Sequence, residues 1–213
     1  MTSPHEAKIT CFNNSPCKNG GTCLVDSSVP VGYRCTCTLF NTGLKCENWT
    51  AAHCNGLPLG LEDKRIADSQ LSASSVVNNY HHPKYARLNA LPGSDHAGSW
   101  RGASRNGEYF QVDLLTTKMI TKFATQGRPR DKYNRNQWIS KFSLTYSVDG
   151  STWVSYRGDG QSTKIFNGNS DKDTIVSHSL GVDVPIVARY IRIVVQAFVE
   201  SPSLRAELYG CNI

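Results

Sequence analysis

The cysteines constrain this chain more than any other feature. Six of the eight fall in one short stretch, Cys11-x5-Cys17-x5-Cys23-x11-Cys35-x-Cys37-x8-Cys46, and the other two, Cys54 and Cys211, stand near the two ends of the remaining chain. A segment under about 40 residues cannot bury enough apolar surface to fold unaided, so the first stretch must be held covalently. An even count at this density implies an oxidising compartment. No pair has CxxC spacing, which argues against a zinc ribbon and against thioredoxin-like chemistry. Spacing alone leaves the pairing of the six open. A bond from Cys54 to Cys211 would close the ends of the second region, worth roughly 5 kcal/mol in the chain-entropy model.

The rest of the pattern is that of strands and turns. Asn19-Gly20-Gly21-Thr22 and Gly32-Tyr33-Arg34 carry turn and hairpin chemistry. After residue 54, the stretches Glu108–Leu114, Lys141–Ser147 and Ala188–Val195 alternate apolar and polar in part. Clusters of Gly, Asn, Asp and Ser separate them, and no segment has a long helical period. Several short strands with turn signals predict an all-β chain, a sandwich or barrel behind a small disulfide-rich module. Met1–Thr10 has no apolar stretch and is not a signal peptide, so the expectation is that one was removed or that this is a fragment with an added Met. No run of about 18 apolar residues predicts a transmembrane helix.

Particular residues then point to two families. The cysteine spacing, the stretch Cys17-Lys-Asn-Gly-Gly-Thr-Cys23 and the aromatic Tyr33 before Cys35 resemble an EGF-like domain over residues 8–47. That resemblance implies pairing 11–23, 17–35 and 37–46. Residues 48–53 form a linker. Residues 54–211 resemble the discoidin domain, also called the coagulation factor type C domain. The residues that carry this are Ile66-Ala-Asp-Ser-Gln-Leu-Ser-Ala-Ser74, Phe110-Gln-Val-Asp-Leu114, Ala188-Arg-Tyr-Ile-Arg192 and Arg205-Ala-Glu-Leu-Tyr-Gly-Cys211. The resemblance implies a β-sandwich of jelly-roll type. The order of the two modules is similar to that of lactadherin-like secreted adhesion proteins, which implies a secreted, extracellular protein.

Function is read from what is absent as well as present. No GxSxG, HExxH, Walker or Rossmann pattern occurs, and no cofactor or metal site is expected. The chain is therefore read as a binding protein, not an enzyme. The net charge of +6, of which +5 falls after residue 53, favours anionic partners such as acidic lipid headgroups or sulfated glycans. Nucleic acid is disfavoured by the compartment and by the lack of a basic tail.

The discoidin resemblance implies a ligand face made of three loops at one end of the sandwich. The first covers residues 76–85, with Tyr80, His81 and His82 at its tip. The second runs from about Arg101 to Asn106 and includes Arg105. The third, residues 128–136, holds Arg128, Arg130, Lys132, Tyr133 and Arg135. Arginine suits phosphate or sulfate, and tyrosine suits a boundary between wet and dry. Trp100, Trp138 and Trp153 are expected in the core. Arg157-Gly158-Asp159 is an RGD tripeptide, read either as an integrin-binding turn or as a charged loop, with exposure deciding between them. Asn48-Trp49-Thr50 is an N-glycosylation sequon, and Thr22 fits the O-fucosylation pattern of EGF-like modules. Calcium binding by that module is not expected, because His5–Thr10 and Leu24-Val25 do not fit the pattern of acidic residues before the first cysteine and an Asn or Asp after the third. The leading reading is extracellular adhesion through the loops to anionic phospholipid or sulfated glycan, with the first module and the RGD contacting protein partners such as integrin. The alternatives are a lectin for a neutral sugar and a structural matrix protein.

Overall fold

The computed structural model describes residue 11, residues 15–103 and residues 105–213. The stretch His5–Thr10 lies outside the described residues. The chain forms two compact units, one of residues up to Cys54 together with Val182–Pro185, the other of Asn55–Gly181 and Ile186–Ile213.

In the smaller unit, strands β1 (Thr22–Val25) and β2 (Tyr33–Thr36) form an antiparallel hairpin, and β3 (Asn41–Thr42) pairs with β4 (Asn48–Trp49). The hairpin turn is closed by Asp26, whose backbone N–H donates to Gly32 at 3.0 Å while its carboxylate accepts the Ser28 N–H at 2.9 Å. Gly32 stands at φ +75°, where a side chain would be strained. Disulfides join Cys11 to Cys23, Cys17 to Cys35 and Cys37 to Cys46. Gly21 must lack a side chain, since a Cβ there would sit 2.7 Å from Cys46 Sγ. Cys54 and Cys211 are disulfide-bonded as well.

The larger unit is a sheet of antiparallel strands. Its members are β5 (Leu57–Pro58), β6 (Leu71–Ala73), β7 (Trp100–Arg101), β8 (Tyr109–Gln126), β9 (Trp138–Ser147), β10 (Val154–Ser155), β11 (Ile165–Asn167), β12 (Val176–Ser179), β13 (Ile186–Val199) and β14 (Ser203–Asn212). The main path runs β10-β9-β13-β8-β14-β5, with β11 on β9, β6 and β12 on β8, and β7 on β14. Alternation explains the faces: Phe110, Val112 and Leu114 point inward from β8, and Tyr109, Gln111 and Asp113 are half-exposed. In β13 the inward set is Ile186 and Ala188, then Ile191, Ile193 and Val195. The phase slips by one residue because the register shifts between Ala188 and Tyr190, as a β-bulge requires. The core fills with Trp100, Phe110, Phe123, Phe142, Phe166 and branched aliphatics, all from this unit.

Of the three tryptophans expected in the core, only Trp100 is fully buried. Trp138 opens β9 beside a loop and is half-buried. Trp153 is half-buried on the outer face, where the Arg192 guanidinium covers its ring at 3.4 Å. A flat guanidinium over indole is favourable in itself, so this ring is satisfied without an interior place.

Candidate ligand-binding site

Two loops of the larger unit are stitched together at one end of the sheet. In residues 76–85, Asn78 caps a short 3-10 turn by accepting the Tyr80 N–H at 3.1 Å. That turn holds Tyr80 half-exposed and sends His81 inward. In the loop of residues 128–136, the Arg128 guanidinium pairs with Asp131 and donates to Gln137 Oε1 at 2.7 Å. Asp131 in turn accepts the Tyr133 N–H at 3.1 Å and the Tyr80 hydroxyl at 3.4 Å. The two tyrosine rings meet edge to face at 5.9 Å. Burial is the largest single influence on Asp131 and works against its ionised form, but the hydrogen bond and charge of Arg128, with the Tyr133 and Asn134 N–H groups, together outweigh it and hold the carboxyl below its usual range. The Val77 N–H to Arg101 carbonyl bond, 3.2 Å, ties the first loop to β7.

Between these elements lies a cleft of about 500 Å³, with Tyr80, His81, Arg101, Arg128, Arg135 and Glu200 among its lining residues. It is electropositive. The Arg101 guanidinium has no hydrogen bond or ion pair among the described residues, and its buried Nε has no partner. Burial, then Arg128 and Arg135, lower its pKa. His81 is 3% exposed with Nδ1 unpartnered, while its ring hydrogen-bonds the Ser99 backbone. Burial, reinforced by Arg128 and Arg101, pushes its pKa down to about 4, so it is neutral at physiological pH.

Two residues read from sequence as loop-tip groups are interior instead. His81 is turned in by the Asn78-capped turn, and Arg128 is 2% exposed because its charge is matched by Asp131 three residues on. His82 is half-buried, its Nδ1 accepting the Lys84 N–H at 3.4 Å. Arg105 is exposed but spoken for by the buried Glu108, 2.6 Å away, which also accepts from Ser74 and Ser75. Arg130, Lys132, Tyr133 and Arg135 are exposed. Glu200, at φ +53° in the β13–β14 turn, is a lining residue that the sequence does not mark. Nothing local signals it, since it reaches the cleft from far along the chain. Asp131 is legible: an acid three residues after an arginine in a loop of bases is an internal partner in waiting.

Arg157 and Asp159 are both exposed. Gly158 takes φ +64°, and the Gly160 N–H closes the turn on the Arg157 carbonyl at 3.2 Å. Its legs, β10 and β11, both pair with β9. Among the described residues neither Arg157 nor Asp159 makes an ion pair. Thr22 and Asn48 are exposed.

The sequence profile described as F5/8 type C domain matches residues 70–208. The chain belongs to that family. Its F5/8 type C region is similar to neuropilin-2 of Mus musculus, 36% identical over 161 residues, which are 75% of this chain and 16% of that protein. Lactadherin of Mus musculus is 34% identical over 187 residues, 85% of this chain and 38% of that protein. The venom prothrombin activator omicarin-C non-catalytic subunit of Oxyuranus microlepidotus is 37% identical over 158 residues, covering 74% and 10%. The chain thus spans well under half of each of these relatives. Among solved structures, wild-type discoidin II from Dictyostelium discoideum superimposes with a TM-score of 0.59 at 29% identity, over 67% of this chain and 55% of that one. No helix among the described residues is long and apolar enough to cross a membrane.

Proposed function

We propose that this F5/8 type C chain is an extracellular adhesion module that grips an anionic surface, phospholipid headgroup or sulfated glycan, with the end of the sheet that carries Tyr80 and Tyr133. The observation that carries this is the half-buried, unpartnered Arg101 beside Arg128 and Arg135. A desolvated cation without a partner costs free energy that a bound anion would recover. The likeness to lactadherin supports the same reading. The reaction class is binding, not catalysis. The smaller unit is read as an EGF-like spacer or docking module, on its cysteine spacing and three local disulfides. Thr22 and Asn48 are its sugar acceptors. The exposed Arg157-Gly158-Asp159 turn is read as an integrin contact, since a projecting cation and a free carboxylate on a pinned turn are what such recognition needs.

Liposome sedimentation and heparin retention test the first part. Replacing Tyr80 and Tyr133 together with Ala is expected to lower both signals by about tenfold. Unchanged retention would remove this end from consideration. For the turn, Asp159→Glu is expected to abolish attachment of integrin-bearing cells to immobilised protein, because the carboxylate moves by a methylene; equal attachment would make the tripeptide incidental.

A further inference from the structure

The cleft between Tyr80, Arg101 and Glu200 is more particular than a basic surface. Its cations are arranged in depth. Arg135 is exposed at the rim, Arg101 is half-buried with no partner among the described residues, and Arg128 lies beneath, already matched by Asp131. That leaves two guanidinium groups for one incoming anion. The rest of the lining is not basic. Glu200 supplies a carboxylate acceptor, Asn78 an amide, and Tyr80 and Tyr133 a rim of rings. A carboxylate lining the cleft disfavours a ligand that is anionic throughout, and favours one that carries hydroxyl donors beside a single negative group. Aromatic rims suit sugar rings. A membrane would instead call for large apolar tips, and the exposed apolar residues of the first loop are only Val76 and Val77, at 37% and 40%. Their small area gives little hydrocarbon insertion.

We infer that this cleft is a subsite for one sulfate ester on a saccharide, with Arg101 and Arg135 as its direct partners, Glu200 accepting from a neighbouring hydroxyl, and the Asp131-paired Arg128 and the His81 imidazole lining the wall behind them. The inference rests on the proposed anionic-ligand reading and selects the glycan within it.

A consequence follows for protons. His81 faces Arg128 and Asp131 from one loop, Arg101 from β7, and the neighbouring Tyr80 ring at 5.3 Å. In the free protein, burial and the two guanidinium groups keep it neutral down to about pH 4. A sulfate opposite it offsets the repulsion and raises its pKa. The complex then binds a proton that the free protein does not, so affinity grows as pH falls through the raised value and is flat above it. A sulfate ester stays ionised throughout, so the dependence belongs to the protein.

The test uses the full chain and a hexasaccharide bearing a single sulfate ester, its desulfated counterpart, and vesicles with and without phosphatidylserine. Arg101→Gln and Arg135→Ala are each expected to weaken hexasaccharide binding about tenfold, as loss of a charge-assisted pair does. The variant Arg130→Ala, which removes a charge from the same loop outside the cleft, should cost less than about threefold. Equal losses in all of them would overturn the inference in favour of a diffuse basic surface. Binding to phosphatidylserine vesicles without binding to the hexasaccharide would overturn it while leaving the anionic-surface reading intact, and binding to neither would overturn both. Histidine NMR gives a readout that does not depend on a variant folding: the resonance titrating near pH 4 should move to higher pH in the saturated complex. An unmoved titration would place the sulfate elsewhere.

Discussion

The two units keep their chains closed by opposite means. In the smaller one, disulfides hold the fold, and large apolar side chains are left outside: Leu44 is 90% exposed, Leu39 67% and Val31 55%. In the larger one, Phe123, Phe142 and Phe166 pack ring against ring at 5.0 to 5.6 Å in the buried core. Two of its arginines are also drawn inside, against backbone carbonyls. Arg205 donates to the carbonyls of Gly127, Ala90 and Lys172, and Arg87 to those of Leu61 and Lys84. The difference teaches that one chain can use covalent bonds where length forbids a core, and packing plus satisfied polar groups where it does not.

The sharpest way to break this contrast is reduction. Removing a native disulfide from a small domain costs about 2–5 kcal/mol, and no described residue of the smaller unit belongs to the buried hydrophobic cluster that could compensate. With thiol reductant, amide protection in β1 and β2 should vanish while that of β8, β9 and β13 persists. Simultaneous loss in both units would mean that the larger one also depends on the disulfide bonding of its one cysteine, Cys211. The converse experiment is Phe123→Ala, which deletes the ring touching both Phe142 and Phe166 and should cost about 3–5 kcal/mol. Thermal melting should fall for the larger unit, with hydrogen exchange in β1 and β2 unchanged.

The contrast also accounts for what could be read ahead of the structure. Strand faces are legible in β8, β9 and β13, because one side of each is buried and period-2 alternation records that. The β13 bulge is written there too, as a slip from Ala188 to Ile191. β14 is not, since Ser203–Leu208 is buried on both faces and so does not alternate in exposure. The RGD turn is legible as a turn, from two glycines in four residues, but not as exposed. The cleft is the hardest part. Sequence marks Arg128 and Arg135 as equal bases in one loop, yet one is interior and the other in solvent. What separates them is Asp131 and Gln137 being in place to receive Arg128, which is a property of the folded loop. Glu200 joins from another turn altogether, and no local pattern could announce it.

The gentlest of these tests concerns the polar closure of the larger unit. Glu207 is fully buried on β14. Its Oε1 accepts the N–H groups of Gly60, Leu61 and Leu208 at 3.2, 3.1 and 2.8 Å, and its Oε2 accepts that of Glu62 at 2.8 Å. One carboxylate thereby pins residues 60–62 to the last strand, close to the job a disulfide does in the smaller unit. Glu207→Gln keeps shape and volume, so no cavity term enters. It changes only what each terminal atom can do. A carboxylate accepts at both positions, whereas an amide must turn an NH₂ toward at least one of these donors. In either orientation at least one N–H that the carboxylate held faces another donor and loses its partner, at a cost of about 1 kcal/mol if it is the part-buried Glu62 N–H and up to about 3 if it is those of Gly60, Leu61 and Leu208. Urea denaturation should therefore show a lower midpoint with an unchanged slope, since the surface exposed on unfolding is the same. A shift under about 0.5 kcal/mol would mean that the aromatic core alone closes this unit and that Glu207 merely fits within it.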